Sequence, residues 1–272
     1  MEVVSPGAAS SFRFELMLEV GLPGAAAAIC VALAWQMLRR FVLRRRVHEF
    51  VWGVTFLAFG VAAFSEAYGS LLGWTPGLVR LYYLNGALLP VGFLALGTLV
   101  LLVPRPIALV ALSVVLIQSL FAVFLVLRAG VDPEIVKVAG WSAMSRDAPV
   151  RALTLTINVL GTIVVLIGTF GSAYAQWSRG QNSRALGVFL IGTGTLIVAS
   201  GGSLTRYGHH FLYGPMVVGL LVIFAGYLRV TAPAAPILVM DTDRERRPEP
   251  EAEPADGTIT AAYTGDRHGN RA

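Results

Sequence analysis

The sequence predicts an all-α membrane protein: a bundle of seven transmembrane helices, with the N-terminus outside and the C-terminus in the cytoplasm. Composition gives the first reason, because 56% of the 272 residues are hydrophobic, 14% are charged, and the mean hydropathy is +0.69. A soluble domain carries about a quarter of its residues as charged side chains, so lipid must be the solvent for much of this chain. The lengths of the apolar runs and the positions of the arginines give the other two reasons.

Seven apolar runs approach the length of about 20 residues that a spanning helix needs. The predicted spans cover residues 18–41, 50–74, 77–103, 106–127, 152–177, 184–206 and 209–231. Pro104 and Pro106 separate the third span from the fourth. The chain therefore divides into an extracytoplasmic N-terminal segment (1–17), the seven-helix domain (18–231) and a cytoplasmic tail (232–272). The tail is rich in proline and charge, so we predict that it is disordered.

The arginines predict the orientation of the bundle. The loop after the first span holds five of them: Arg39, Arg40, Arg44, Arg45 and Arg46. Short loops rich in arginine stay in the cytoplasm, and the first span usually dominates insertion. Glu2, Glu15 and Glu19 precede the first apolar run, the reverse of a cleavable signal peptide, so we expect that span to be retained. The predicted location is the cell membrane, as a multi-pass protein of the bacterial inner membrane.

The outer loop 128–151 is long enough to hold structure of its own. Asp132, Pro133 and Glu134 form a typical helix start, followed by apolar residues. The loop is therefore either a short helix lying at the membrane interface or an irregular segment.

Glycines are frequent in the spans and indicate close helix packing. Gly69 and Gly73 have the GxxxG spacing in the second span. The sixth span contains four more: Gly192, Gly194, Gly201 and Gly202. Pro90 predicts a kink in the third span.

Glu66 and Arg80, charged residues of the predicted second and third spans, are candidate functional residues, because ionisable groups in lipid are costly. Glu66 is eight residues before Trp74, which places it about 12 Å below the outer end of the second span. Arg80 begins the third span near the same surface. We expect Glu66 and Arg80 to interact, directly or through water.

Further polar side chains fall in the outer halves of several spans. Tyr83, Asn85 and Tyr213 are the candidate ligand-binding residues that accompany Glu66 and Arg80. Gln118, Asn158 and Ser200 reach a similar depth. Because fewer polar groups lie in the cytoplasmic halves, this pattern favours a wet cavity that opens to the outside. The alternative is that these groups only form hydrogen bonds between helices.

The residues that common membrane chemistries require are missing. Lys137, the only lysine, lies in a loop and cannot form a retinal Schiff base, and Cys30 is the only cysteine. His48 lies on the opposite side of the membrane from His209 and His210, which argues against bis-histidine haem. No HExxH, GxSxG or Walker sequence is present. We predict no cofactor, no metal and no catalytic residue, and an enzyme is the least favoured function class. The arginines form no stripe interleaved with aromatics, so nucleic acid is not an expected partner.

One stretch, residues 65–97, reads SEAYGSLLGWTPGLVRLYYLNGALLPVGFLALG. It resembles the second and third spans of the seven-helix membrane sensor region found ahead of some bacterial histidine kinases. The matching positions are Glu66, Trp74, Arg80, Tyr83, Gly86 and Pro90. No kinase follows, only a tail of some 40 residues. The resemblance implies a stand-alone sensing or binding module that signals through a cytoplasmic partner.

These observations lead to two function hypotheses. The first is a receptor-like membrane module that binds a small or lipidic ligand in the outer half of the bundle, with the loop 128–151 as a lid. The second is a transporter or channel for a small solute or a proton, although no internal repeat is visible. A polar path that reaches the cytoplasmic face would favour the second hypothesis.

Overall fold

A computed structural model describes residues 17–144, 148–204 and 213–232, all within one compact unit. In these ranges seven helices are long and apolar enough to cross a membrane, as the sequence predicts. They are Leu18–Arg44, Val47–Leu72, Pro76–Leu102, Arg105–Arg128, Pro149–Ser178, Asn182–Gly201 and Gly214–Thr231. The predicted tail and nearly all of the predicted N-terminal segment lie outside the described residues.

We number the α-helices of the described ranges along the chain. They are α1 (Leu22–Arg44), α2 (Val47–Leu72), α3 (Pro76–Tyr83), α4 (Leu89–Leu102), α5 (Arg105–Arg128), α6 (Pro133–Ala139), α7 (Ala148–Ser178), α8 (Asn182–Leu204) and α9 (Tyr213–Thr231). A π-helical turn, Leu84–Leu88, joins α3 to α4, and a 3-10 turn, Gly140–Ala143, follows α6. Thus α3, the π turn and α4 together form the third span.

Six of the spans close a ring of packing contacts. Helix α1 packs on α2, α2 on α4, α4 on α7, α7 on α8, α8 on α9, and α9 packs back on α1. The contact that closes the ring is a buried apolar cluster in which Met216, Leu220 and Ile223 of α9 meet α1 and α2. Helix α5 lies outside the ring, against α4 and α7.

Large apolar side chains point outward from the bundle. Helix α5 buries only Ala122 and Val126, while residues such as Leu116, Ile117 and Leu120 are exposed. A surface of this kind is stable in hydrocarbon but not in water, because apolar patches of that size are rare on soluble monomers. The outward faces therefore agree with the lipid environment that the composition predicts.

The chain reverses direction between spans by short, well-defined breaks. Arg45 and Arg46 alone connect α1 to α2, and Arg45 takes the left-handed conformation, with φ of 55°. Val103 and Pro104 separate α4 from α5. At Pro90, where the sequence predicts a kink, the third span changes from the π turn to α4, since proline has no N–H to donate to the preceding turn.

Helices α8 and α9 meet through glycines. The pairs Gly187–Gly226 and Gly194–Gly219 face each other, and a Cβ atom on Gly187 would lie 2.9 Å from the carbonyl oxygen of Gly226. The tight packing predicted from the glycines of the sixth span is therefore confirmed for Gly194.

Candidate functional site

The two ends of the bundle carry different features, and we name them by those features. The loop end is the end at which residues 129–144 lie, and the arginine end is the end that holds residues 39–46. The candidate ligand-binding residues belong to the loop end.

At the loop end, residues 129–144 fold into an ordered cap. The predicted helix start at Asp132 is confirmed, because its Oδ1 accepts hydrogen bonds from the backbone N–H of Glu134 at 2.9 Å and of Ile135 at 3.4 Å. Val136 and Met144 are buried against α3 and α5. A β-bridge between Val131 and Met144 closes the base of this segment. The cap is thus packed onto the bundle rather than extended into solvent.

Three aromatic rings line the boundary between the cap and the bundle. Trp74 and Tyr82 have ring centroids 5.7 Å apart in an edge-to-face arrangement, and Tyr82 and Trp141 have centroids 5.6 Å apart. A Cβ atom on Gly140 would lie 3.0 Å from Trp74 Nε1, so the indole of Trp74 also lies against the cap. Such offset and edge-on pairs are stabilising beyond their buried area.

The GxxxG spacing of Gly69 and Gly73 does not mark a helix–helix contact. Gly69 makes room for the Trp74 indole, because a Cβ atom there would lie 2.8 Å from Trp74 Nε1. Gly73 ends α2 with φ of 95°, a conformation that favours glycine. The close packing expected from this motif is therefore between a helix and an indole ring.

Glu66 is buried near the loop end of α2, with 9% of its surface exposed. Glu66 lies one helical turn closer to the loop end than Ala62. Ala62 in turn faces Gly86 of the π turn, because a Cβ atom on Gly86 would lie 3.2 Å from the Ala62 side chain. Because α2 and α3 run antiparallel, the residues across from Glu66 lie about one turn before Gly86, around Tyr82 and Tyr83. Glu66 is thus placed on the side of α2 that faces the third span.

Arg80 is half-buried, and it contacts the cap. Its Nη2 donates a hydrogen bond to the carbonyl oxygen of Ala129 at 3.2 Å. Ala129 follows the last residue of α5, where the helix dipole concentrates partial negative charge. This contact holds the guanidinium against the end of α5. Arg80 Nε is buried and has no hydrogen-bond partner among the described residues.

Tyr83 is buried and joins α3 to α7. Its hydroxyl group lies 3.4 Å from Thr154 Oγ1. Because the Thr154 hydroxyl donates to the carbonyl oxygen of Val150 at 2.8 Å, Tyr83 is the donor to Thr154. This hydrogen bond between helices is the kind that the alternative interpretation of the polar residues predicts.

The π turn carries Asn85 and receives a side chain from α7. Asn85 Nδ2 donates to the carbonyl oxygen of Leu81 at 3.0 Å, within its own span. Asn158 Nδ2 donates to the carbonyl oxygens of Ala87 and Thr154, each at 2.8 Å. Both protons of the Asn158 amide group are therefore used, one of them to satisfy the backbone of the π turn.

Arg80, Tyr83 and Asn85 all lie on the third span but make separate contacts, with Ala129, Thr154 and Leu81 respectively, and Glu66 lies on the neighbouring helix α2. Tyr213 begins α9, but its side chain lies outside the described residues, as do His209 and His210. Within the described ranges, no group of three His, Cys, Asp or Glu residues lies close enough together to bind a metal ion.

Sequence reasoning missed a buried carboxylate at the arginine end. Glu49, in the first turn of α2, has 7% of its surface exposed. It follows the arginine-rich loop, so its position suggested an exposed interfacial residue. The hint in the sequence was the apolar run that begins immediately after it.

Comparison with protein-family models, with curated proteins and with solved structures finds no match for this chain.

Proposed function

We propose that this chain is a receptor-like membrane module that binds a small or lipidic ligand at the loop end. One observation supports this proposal above the others: Glu66 and Arg80, two charged side chains, are buried or half-buried beneath an ordered cap. Charged groups inside a span are costly and are retained where they serve function. The arginine distribution favours an orientation with the loop end outside the cell, and the proposal takes the membrane to be a bacterial inner membrane.

In this proposal each candidate residue has a distinct role. Glu66 is the negatively charged anchor, and Arg80 Nε donates to an acceptor on the ligand while Nη2 holds the cap at Ala129. Asn85, with its side-chain oxygen, orients the ligand, and so do Tyr83 and Tyr213. Residues 129–144 act as the lid.

The resemblance of residues 65–97 to sensor regions of histidine kinases supports a signalling role. The module then acts on a separate cytoplasmic partner, because the resemblance covers the membrane region alone. The partner is expected at the arginine end.

A ligand screen by thermal stability tests the proposal. The purified protein in lipid nanodiscs is heated with panels of small amines, carboxylates, sugars, fatty acids and phospholipids. A ligand should raise the Tm of the wild type, and Glu66→Gln or Arg80→Ala should remove that rise. Glu134→Gln and Arg105→Ala, which change exposed residues, should keep it.

The proposal fails if a compound that stabilises the wild type stabilises Glu66→Gln and Arg80→Ala equally. It also fails if no compound class in the panel changes the Tm. Both variants must first show wild-type helicity, so that loss of binding is separated from loss of fold.

A proton or small-solute transporter is the second candidate, and Glu49 favours it. Helix α2 carries buried polar residues at both ends: Glu49, Thr55, Ser65 and Glu66. However, the hydroxyl groups of Thr55 and Ser65 donate to carbonyl oxygens of their own helix, at 2.9 and 2.7 Å, which leaves no obvious relay between the two carboxylates. This candidate would be favoured if the protein supports proton uptake into liposomes and if that uptake is lost when either Glu49 or Glu66 is replaced.

A further inference from the structure

Three helix ends meet at the arginine end, and each contributes a polar side chain. Arg40 lies near the end of α1, Glu49 near the start of α2 and Tyr227 near the end of α9. Glu49 and Tyr227 are both more than nine-tenths buried, with 7% and 8% of their surfaces exposed. Among the described residues, neither Glu49 Oε2 nor the Tyr227 hydroxyl has a hydrogen-bond partner.

Helix capping does not explain the burial of Glu49. A glutamate in the first turn of a helix is favourable because its charge faces the positive end of the helix dipole. That interaction works equally well at the surface, where the carboxylate keeps its water. Instead, the carboxylate lies inward, close enough to Tyr227 to interact with it electrostatically. Its position therefore points to a role between helices.

Arg40 is the cation that contacts Tyr227. Its guanidinium carbon lies 5.7 Å from the centroid of the Tyr227 ring, which is a cation–π contact between α1 and α9. Arg40, Glu49 and Arg44 all act electrostatically on the Tyr227 hydroxyl group, and Arg40 has the largest effect of the three. A buried carboxylate oxygen without a hydrogen bond is unfavourable, and an arginine is its best partner.

We propose that Arg40 is a two-position switch, bound to the Tyr227 ring of α9 in the conformation described here and paired with Glu49 of α2 in a second conformation. In the first position Arg40 ties the end of α9 to α1. In the second position the ion pair satisfies Glu49 Oε2, and the end of α9 is released from α1. The first position leaves Glu49 Oε2 without a hydrogen bond, and the second gives up the cation–π contact, so the difference between these two costs sets the populations.

The switch goes beyond the ligand site proposed above and does not depend on it. It is confined to the arginine end, whereas Glu66 and Arg80 lie at the loop end. It can therefore be tested with no ligand present.

The experiment measures the distance between α1 and α9 at the arginine end. Cysteines replace Leu43 of α1 and Leu228 of α9, which are 71% and 46% exposed, and each carries a nitroxide spin label. The native Cys30 is fully buried and should not react. Pulsed electron paramagnetic resonance in lipid nanodiscs then gives the distribution of distances between the labels.

The variants should move this distribution in opposite directions. Tyr227→Leu removes the ring, so the population with the longer distance should rise at least two-fold. Tyr227→Phe keeps the ring and should resemble the wild type. Glu49→Gln removes the second partner, so it should lower the longer-distance population and also suppress the effect of Tyr227→Leu. Tyr174→Leu, which changes an exposed tyrosine of α7, is the matched control.

The proposal is overturned if Tyr227→Leu and Glu49→Gln shift the distribution in the same direction, or if Glu49→Gln does not suppress the effect of Tyr227→Leu. If Tyr227→Leu fails to fold, the Arg40→Gln variant provides the test instead. Glu49→Gln should change the distribution in the presence of Arg40 and leave it unchanged in its absence. An effect of Glu49→Gln that persists without Arg40 contradicts the switch.

Discussion

Gly194 of α8 and Gly219 of α9 are in direct backbone contact: a Cβ atom on Gly194 would lie 2.6 Å from the carbonyl oxygen of Gly219. The reciprocal distance, from a Cβ atom on Gly219 to the carbonyl oxygen of Gly194, is 2.7 Å. Backbone atoms cannot rotate away as a side chain can, so neither position has room for a residue with a Cβ atom.

We expect Gly194→Ala to lower the free energy of unfolding by about 1–3 kcal/mol, because α8 and α9 must separate to admit the methyl group. Gly171→Ala in α7 is the control, since a Cβ atom there meets no atom within 4 Å. That substitution should be neutral or stabilising by about 0.5–1 kcal/mol. Thermal unfolding in nanodiscs measures both, and equal Tm values would contradict the backbone contact.

Gly69→Ala should destabilise the protein through the Trp74 indole rather than through α2 itself. The expected cost is about 1–3 kcal/mol, because the ring fills the space that a Cβ atom would occupy. In a Trp74→Ala background the same substitution should cost much less, since the obstacle is gone. The coupling is read from Tm values of the two single variants and the double variant. Additive effects would show that the indole does not limit position 69.

Asn158→Ala should cost about 1–2 kcal/mol, because it removes the amide group that satisfies the Ala87 carbonyl oxygen in the π turn. Thr156→Ala, on the exposed side of the same helix, loses only a hydrogen bond to its own helix and should have a smaller effect. Unfolding in a graded detergent series compares the two. If Thr156→Ala proves the more damaging, Asn158 does not hold the π turn.

Arg80→Ala should loosen the cap before it lowers overall stability. Without the hydrogen bond to Ala129, backbone amide groups in residues 129–144 should exchange with deuterium several-fold faster, while those of α8 and α9 stay protected. Arg128→Ala, which removes only a contact with the ring of Phe124, is the control. Uniform acceleration across all spans would mean that Arg80 supports the fold rather than the cap.

Cys30 should report unfolding by its reactivity. It is fully buried between α1 and α2, next to Gly60, where a Cβ atom would lie 3.4 Å from Cys30 Cβ. A maleimide should therefore label it at least 100-fold more slowly in the native protein than in denaturant. Rapid labelling of the folded protein would contradict the packing of α1 on α2.

Much of the fold could be predicted because the bilayer reduces the problem to length and hydropathy. The predicted third span, 77–103, corresponds to Pro76–Leu102, and the predicted fourth, 106–127, to Arg105–Arg128. The helix start at Asp132 also followed from local chemistry, since a side-chain oxygen that caps the next N–H groups depends only on nearby residues. These features need no knowledge of tertiary contacts.

The contacts of the candidate site needed that knowledge. The sequence placed Glu66 and Arg80 towards the same end of the bundle, but it did not show that the carbonyl oxygen of Ala129, 49 residues along the chain, accepts a hydrogen bond from the guanidinium. Every residue has a backbone carbonyl group, so the residue types do not show which carbonyl oxygen will accept a hydrogen bond. Glu49 was missed for a related reason, because its neighbours suggest an exposed helix start, whereas tertiary packing buries it.

Closure of the ring by α9 against α1 has a consequence for biosynthesis. The apolar cluster that buries Ala26, Leu33 and Met37 of α1 is complete only after α9 has been made and inserted. Until then, a nascent chain on the ribosome has an incomplete first helix pair, which quality-control proteases of the membrane can recognise. A nonsense mutation shortly before α9 should therefore act as a null allele through degradation, even though six complete spans would already be in place.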